Sequence, residues 1–444
     1  MKHHTVRRAL AVTAVLAMGI SGLAACGSST SNTEAKGKVY YLNFKPEVAE
    51  QWQSIAETYT QETGVPVTVQ TAASGTYDQT LKSELAKAEK PTLFQVSGPV
   101  GLDMWKDYVT DMSDTAVYKH MNDQSTALEK DGKPVAIPFV NESIGIIYNK
   151  DILNRYCELS GAKIDSVDDI KSFDTLKEVA DDIQAHKDDL GIRGAFTSSG
   201  MDSSSYWRFS QQLAAVPLYY EFKDKDTVQE QPASIDGTYL PNFKNIWDLY
   251  ITDSTTEASQ IGSTTLDDAS SEFALGEAAF YQNGTWAWTD LNENGMDADN
   301  VGMLPIYIGV DGEEDQGLIT GTMNYWCITT DLSDDDRKAT EDFLEWMITS
   351  DEGKDALSKD MGFTVPFDTF DDVETDNPLV AIALKDEASD SEKIPWVHTM
   401  EPSDAWQKNL ASAMLEYAQG TGTWDQVKQR FVDDWAVEVE ASKS

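Results

Sequence analysis

Residues 39–96 alternate short β-type runs with amphipathic helical ones, and few architectures accept that order. Val39-Tyr40-Tyr41-Leu42 reads as a strand and Asn43-Phe44-Lys45-Pro46 as a loop. A helix is expected from about Glu47, because Trp52, Ile55, Ala56 and Tyr59 fall at i, i+3, i+4 and i+7 on one face. Gly64 is its stop signal. Residues 65–70 read as a second strand, 71–77 as a small-residue loop, 78–88 as a second helix and 92–96 as a third strand. Parallel strands need a crossover, which helices supply, so the alternation predicts an α/β layer with a largely parallel sheet. Residues 137–148 form a long extended run with Pro138 inside it. Proline removes a ladder donor, so this run is expected at a sheet edge or in a crossing between lobes. Further on, Ser172 opens a helix with Leu176, Val179, Ala180 and Ile183 inward. Ser333 opens another with Ala339, Phe343, Leu344 and Met347 inward.

The N-terminus carries a separate signal. Lys2, Arg7 and Arg8 precede an apolar run over 9–25, which ends in Leu23-Ala24-Ala25-Cys26 before a polar stretch. This is the three-part layout of a secretory signal with small residues at the cut. It resembles the bacterial lipoprotein lipobox, which implies that residues 1–25 are removed and that Cys26 takes a diacylglycerol. Residues 26–37 then read as a flexible tether, with the protein at the cell surface on the outer face of the cytoplasmic membrane. No later apolar stretch reaches the roughly 20 residues that span a bilayer. The 444 residues carry a formal charge of −42, and losing Lys2, Arg7 and Arg8 with no acid in the leader takes this to −45. Such a surface repels nucleic acid and anionic headgroups and leaves neutral ligands open. Cys157 and Cys327 are the cysteines left, and both are expected as free, small apolar residues.

Five segments then fall in a recognisable order. They are Ile137-Pro138-Phe139 through Tyr148-Asn149-Lys150-Asp151; Phe273-Ala274-Leu275-Gly276-Glu277-Ala278-Ala279-Phe280 with Asn283-Gly284-Thr285-Trp286-Ala287-Trp288; Met303-Leu304-Pro305-Ile306; Phe343-Leu344 with Thr349-Ser350-Asp351-Glu352-Gly353; and the turn from Gly362 to Pro366. Together they resemble the extracellular solute-binding proteins of ABC importers, in the branch of maltose-binding protein and other oligosaccharide binders. Phe280 stands where that family usually has methionine. The resemblance implies a two-lobed periplasmic-binding-protein-like (type II) α/β fold with a hinge between discontinuous lobes. Lobe one would comprise 38–140 and 305–350, and lobe two 141–304 and 351–444. The lobes would rotate about strands near 138–143 and 303–306. The implied ligand is a neutral oligosaccharide and the implied partners are permease subunits. A monomer is expected, with no cofactor, no metal and no nucleic acid.

Ligands of open α/β sheets sit beyond the carboxyl ends of strands. The loops with Asn43 and Phe44, with Ser74, Thr76 and Tyr77, and with Gln95 and Ser97 occupy such ends, and their residues also serve ordinary turns. A sugar needs flat apolar platforms and orienting polar groups. Trp286, after Asn283-Gly284, aligns with the family's stacking tryptophan; Trp288 is expected to pack elsewhere. Either Tyr206 or Trp207 is expected as a second platform. Tyr325 and Trp326 adjoin in a strand and must face opposite sides, one to the core. Trp396 and Trp406 lie where the family supplies further aromatics. Asn141, Glu142 and Asn324 are candidate polar partners, with a hinge hydrogen bond as the other reading of Glu142.

Two rival classes remain. The chain has many acids, so a glycosidase carboxylate pair arises by chance, and no Ser-His-Asp order or zinc spacing stands out. A carbohydrate-active enzyme therefore has no positive signal. A glycan-binding adhesin would share the aromatic platforms but needs no hinge. Asp290 to Gly295 copies the start of a calcium loop, yet Val301 stands where the bidentate Glu belongs, so an acidic turn is expected.

Overall fold

The computed structural model describes residues 37–442 except 74, 229 and 230. The leader, Cys26 and the tether up to residue 36 lie outside the described residues, as does Ser74. In chain order the strands are β1 (Val39–Asn43), β2 (Val67–Thr71), β3 (Leu93–Ser97), β4 (Leu128–Lys130), β5 (Lys133–Pro138), β6 (Glu142–Asn149), β7 (Gly194–Phe196), β8 (Ala278–Gly284), β9 (Val301–Leu304), β10 (Gln316–Gly321), β11 (Asn324–Ile328) and β12 (Glu392–Pro395). They form two six-stranded sheets. The first has the order β2-β1-β3-β11-β5-β4. The second has the order β12-β10-β6-β8-β7, with β9 beside β10 on the same flank of β6.

The expected parallel layer holds for β1, β2 and β3. Elsewhere the sheets are mixed: β7 with β8 and β10 with β12 are parallel, but β11 runs antiparallel to β3 and β5, and β6 runs antiparallel to β8, β9 and β10. The reason is topological. A strand that starts where the chain arrives from the other sheet must run away from the end at which β1–β3 finish.

The crossings position the site. The chain leaves the first sheet at Pro138 and enters the second at Glu142, as the proline-broken run predicted. It returns between Gly321 and Asn324, not at 303–306. Met303 and Leu304 lie in register with Ile147 and Ile146 of β6, so this segment adds a strand to the second sheet before the chain crosses. Residues 305–321, assigned from sequence to lobe one, accordingly belong with the second sheet: Ile306, Ile308 and Ile319 are buried in its core. Conversely Leu357, Met361, Phe363, Phe367 and Phe370 pack in the core of the first sheet with Phe139 and Trp326, although 351–444 was expected in lobe two. Apolar residues flank every crossing, so hydrophobicity marks none of them.

The helices follow their patterning. Trp52, Ile55, Ala56 and Tyr59 are the buried face of the Ala49–Thr63 helix, which ends at Gly64 with φ +72°. Ser172 and Ser333 cap Phe173–Ala185 and Asp334–Thr349 by accepting from the amides of Thr175 and Asp336. Cys157 and Cys327 are free thiols, the latter buried. Asp290 and Asn292 sit inside the Ala287–Glu293 helix, a backbone that cannot wrap an ion.

Candidate ligand-binding cleft

The carboxyl ends of β1, β2 and β3 face those of β7, β8 and β12. Gly98, just after β3, is so close to Thr399 that a Cβ there would lie 2.6 Å from the threonine Cβ. Gly75, after β2, lies against the carbonyl of Ser203. Between the sheets runs a cleft of about 850 Å³, lined in part by Asn141, Thr320, Tyr325, Phe363, Thr364 and Trp396. That size suits a drug-sized or oligosaccharide-sized ligand.

Three tryptophans cluster on the second-sheet side: Trp396 lines this cleft, and Trp286 and Trp207 pack beside it. Trp286 sits 6.2 Å from Trp207, ring centroid to centroid, and 6.2 Å from Trp396. Trp207 and Trp286 are half-buried. Trp396 is buried, with Nε1 donating to the carbonyl of Ile319. Tyr206 is packed into the second core, so Trp207 is the member of that pair beside Trp286. Tyr325 and Trp326 do face opposite ways. Tyr325 lines the cleft, and Trp326 stacks on Phe139 at 4.3 Å inside the first core. Trp406 departs from the expectation. It is fully buried, with Nε1 on the carbonyl of Phe431 and its ring edge-on to Trp435, because the Asp404–Ala418 helix turns that face onto the C-terminal helix.

On the first-sheet side the loop residues mostly build the frame. Asn43 Nδ2 donates to the carbonyl of Lys45, and its Oδ1 accepts from the Lys45 amide, closing the turn after β1. Tyr77 receives the Gln95 amide on its hydroxyl (2.7 Å), and Gln95 Oε1 accepts from the Phe44 amide. The Phe44 ring packs edge-on against Tyr77. Thr76 is exposed and donates to the carbonyl of Ala73; Ser97 is half-buried at the head of the Gly98–Trp105 helix. Asn283 is likewise consumed locally, between the Tyr281 hydroxyl and the Gly284 amide. The Asn141 amide donates to the carbonyl of Thr364 while the residue lines the cleft.

Two charged residues escaped the sequence reading. Lys45 is buried, donating to Glu142 (2.8 Å) and Glu47 (3.0 Å), with its ammonium 5.7 Å from the Trp286 ring. Burial alone would push this ammonium down, but the charges of Glu142 and Glu47 outweigh it and hold it above its ordinary value. Glu142 is thus an ion-pair partner at the crossing, with Asn324 Nδ2 at 3.5 Å from its second oxygen. Arg208 is also buried. It donates to the Ser198 carbonyl (3.0 Å), the Gln282 carbonyl (3.4 Å) and Ser205 Oγ. Gln282 Nε2 returns a bond to the Arg208 carbonyl (2.6 Å). This ties the ends of β7 and β8, and hence Trp207 and Trp286, into one unit. The signal was present: Arg208 is the single charged residue between 203 and 220.

A sequence profile described as "Bacterial extracellular solute-binding protein" matches residues 54–381. The chain belongs to that family. A maltotriose-binding protein of Pyrococcus abyssi is 24% identical over 352 residues, covering 77% of this chain and 67% of that protein. Among solved structures, the solute-binding protein RafE in complex with raffinose superposes with a TM-score of 0.71 at 18% identity, covering 92% of this chain and all of that one. A chitin oligosaccharide binding protein gives 0.70 at 17% identity, covering 92% and 98%. A sugar transporter from Bacillus licheniformis in complex with stachyose gives 0.66 at 18%, covering 90% and 100%. These likenesses establish the type II binding-protein fold. As a solute-binding protein the chain is a binder, which sets the enzyme class aside.

Proposed function

We propose that this solute-binding protein captures a neutral oligosaccharide between its lobes and delivers it to the permease of an ABC importer. The observation that carries the reading is the meeting of Trp207, Trp286 and Trp396 at the strand ends of one sheet, opposite the polar loops of the other. Tryptophan faces hold the apolar faces of sugar rings, while hydroxyl, amide and carboxylate groups along the cleft orient the hydroxyls. Relatives named for maltotriose, raffinose, stachyose and chitin oligosaccharide support this ligand class. Cys26 anchors the protein by lipid to the outer face of the cytoplasmic membrane, and the mature chain acts as a monomer. Micromolar capture corresponds to about −8 kcal/mol, within reach of stacked rings and several hydrogen bonds.

Calorimetric titration of the leaderless protein with raffinose, stachyose, maltotriose and chitotriose tests the reading. At least one of these should bind. Trp286→Ala should weaken it tenfold or more while the fold survives, as judged by far-UV dichroism. Binding confined to amino acids or peptides removes the sugar assignment. Palmitate labelling of cells expressing the full chain tests the anchor: label should enter the parent and not Cys26→Ser.

A further inference from the structure

The side chain of Lys45 makes contacts that its own turn does not require. Asn43 closes that turn through the Lys45 backbone. The ammonium instead reaches partners on both sides of the cleft. Glu47 (3.0 Å) lies on its own turn in the first lobe, and Glu142 (2.8 Å) heads β6 of the second sheet. Two rings flank it, Phe363 of the first core at 5.6 Å and Trp286 of the second lobe at 5.7 Å. The helical turn Pro46–Val48 that follows packs on the Ala287–Glu293 helix, which starts just after Trp286. Both lobes therefore hold Lys45 at once.

A buried ion pair is a poor choice for stability alone. Taking two charges out of water offsets much of their attraction, and well-packed apolar residues of the same volume serve as well or better. The side chains of Lys45 and Glu142 are each 5% exposed. The best-attested use of such a pair is to fix one register or one state of a switch. Here the alternative states are the positions of the two lobes. In the shut arrangement the ammonium has a carboxylate from each lobe and an indole whose ring quadrupole attracts a desolvated cation. Parted lobes leave Lys45 with Glu47 and Phe363, and give Glu142 and Trp286 to water. The motion that shuts and opens the cleft thus makes and unmakes the pair, with no sugar involved.

We infer that Lys45 is an interlobe clasp: through Glu142 and Trp286 it favours the shut arrangement before any ligand arrives, and it raises the affinity for every ligand by one common factor without choosing among them. Its effect on sugars rests on the oligosaccharide reading above; its effect on shape does not. Apparent affinity scales with the fraction of molecules in the competent state. A group that acts on that fraction alone changes all ligands alike, whereas a group that hydrogen-bonds a ligand discriminates between those with and without the matching hydroxyl. Lys45 is accordingly a positioning residue.

The test compares the leaderless parent with Lys45→Met, which keeps the stem and loses the charge, and with Lys45→Arg, which keeps the charge. Without ligand, small-angle scattering should give a larger radius of gyration for Lys45→Met than for the parent. The double variant Lys45→Met, Glu142→Gln does not leave Glu142 charged and alone, and it should expand equally, which separates lobe opening from a folding defect. In calorimetry, Lys45→Met should weaken each sugar that the parent binds among raffinose, stachyose, maltotriose and chitotriose by the same factor, about threefold or more. Lys45→Arg should restore most of that loss. Ligand-free scattering that is unchanged in both Lys45→Met variants overturns the clasp. A loss that differs between sugars also overturns it and makes Lys45 a ligand contact; a gain in affinity overturns it and makes Lys45 an obstruction. If no sugar of the panel binds the parent, the oligosaccharide reading fails, and the scattering alone decides the clasp.

Discussion

Arg208 shows what a single side chain contributes to a binding surface it does not enter. Its guanidinium is buried, and no ion pair to it forms among the described residues. Burial pulls its pKa below the ordinary arginine value, though nearby charges such as Glu272 oppose this. Its hydrogen bonds go to two carbonyls and a hydroxyl, at the very places where β7 and β8 end. Arg208→Met would fill the volume but strand those acceptors, at about 1–3 kcal/mol for each buried group left unpaired. We expect the urea midpoint of the free protein to drop with an unchanged m-value, and sugar affinity to fall as Trp207 and Trp286 lose their fixed spacing. A variant as stable as the parent would show that water replaces the guanidinium at no cost. The family resemblance, not residue identity, singled out Trp286, Trp207 and Trp396, which the structure brings together, and strand alternation split Tyr325 from Trp326. Lys45 was not legible, because an ion pair exists only once distant segments meet. Trp406 misled for the same reason: helix phase decides whether an indole faces cleft or core.

At the level of the element, β8 and the turn after it set how far Trp286 can reach. The ring lies flat against Gly284, where a Cβ would come within 2.0 Å of Trp286 Cζ3. An alanine there must displace the indole, since rigid ring atoms at that distance cannot give way. Gly284→Ala should therefore leave β8 paired with β6 but move Trp286 toward Lys45 or out of the cleft. The expected readout is a loss of affinity comparable to that of Trp286→Ala, with a shifted tryptophan emission maximum and retained far-UV dichroism. Unchanged affinity would mean that the indole has a second seat of equal use. Elements were the most legible scale in this chain. Periodicity placed the buried faces of Ala49–Thr63 and Phe173–Ala185, and serine caps placed their beginnings. Strand pairing was not legible beyond β1–β3. Nothing local distinguishes β9, which stays in the second sheet, from a strand that crosses, because both are short and apolar. The antiparallel sense of β6 and β11 follows from where the chain enters each sheet, a property of the path rather than of the residues.

The whole molecule has two sheets, and the backbone joins them at 139–141 and 322–323, with residues 351–373 visiting the first core before the chain returns at Leu379. Several short connections at one edge permit rotation of one lobe against the other. In the present arrangement the lobes touch at Gly98 with Thr399 and at Gly75 with Ser203. Burial pushes the Asp78 carboxyl up, Asp404 from the other lobe adds to this, and the Trp105 indole and Lys408 oppose it. A ligand shifts such an equilibrium only through its unequal affinity for the two states, and turning 1:99 into 99:1 takes about 10⁴-fold. A ligand that touched Trp286 and Trp396 on one side and the β1–β3 loops on the other would have both sets of contacts only in the shut form, which would supply that inequality. Small-angle scattering of the leaderless protein should therefore report a larger radius of gyration without sugar than at saturation, and the saturated profile should fit the arrangement described here. Superimposable profiles in the two conditions would mean that the cleft binds without closing. Capture would then rest on one lobe's tryptophans alone, and affinity would survive replacement of the β1–β3 loop residues.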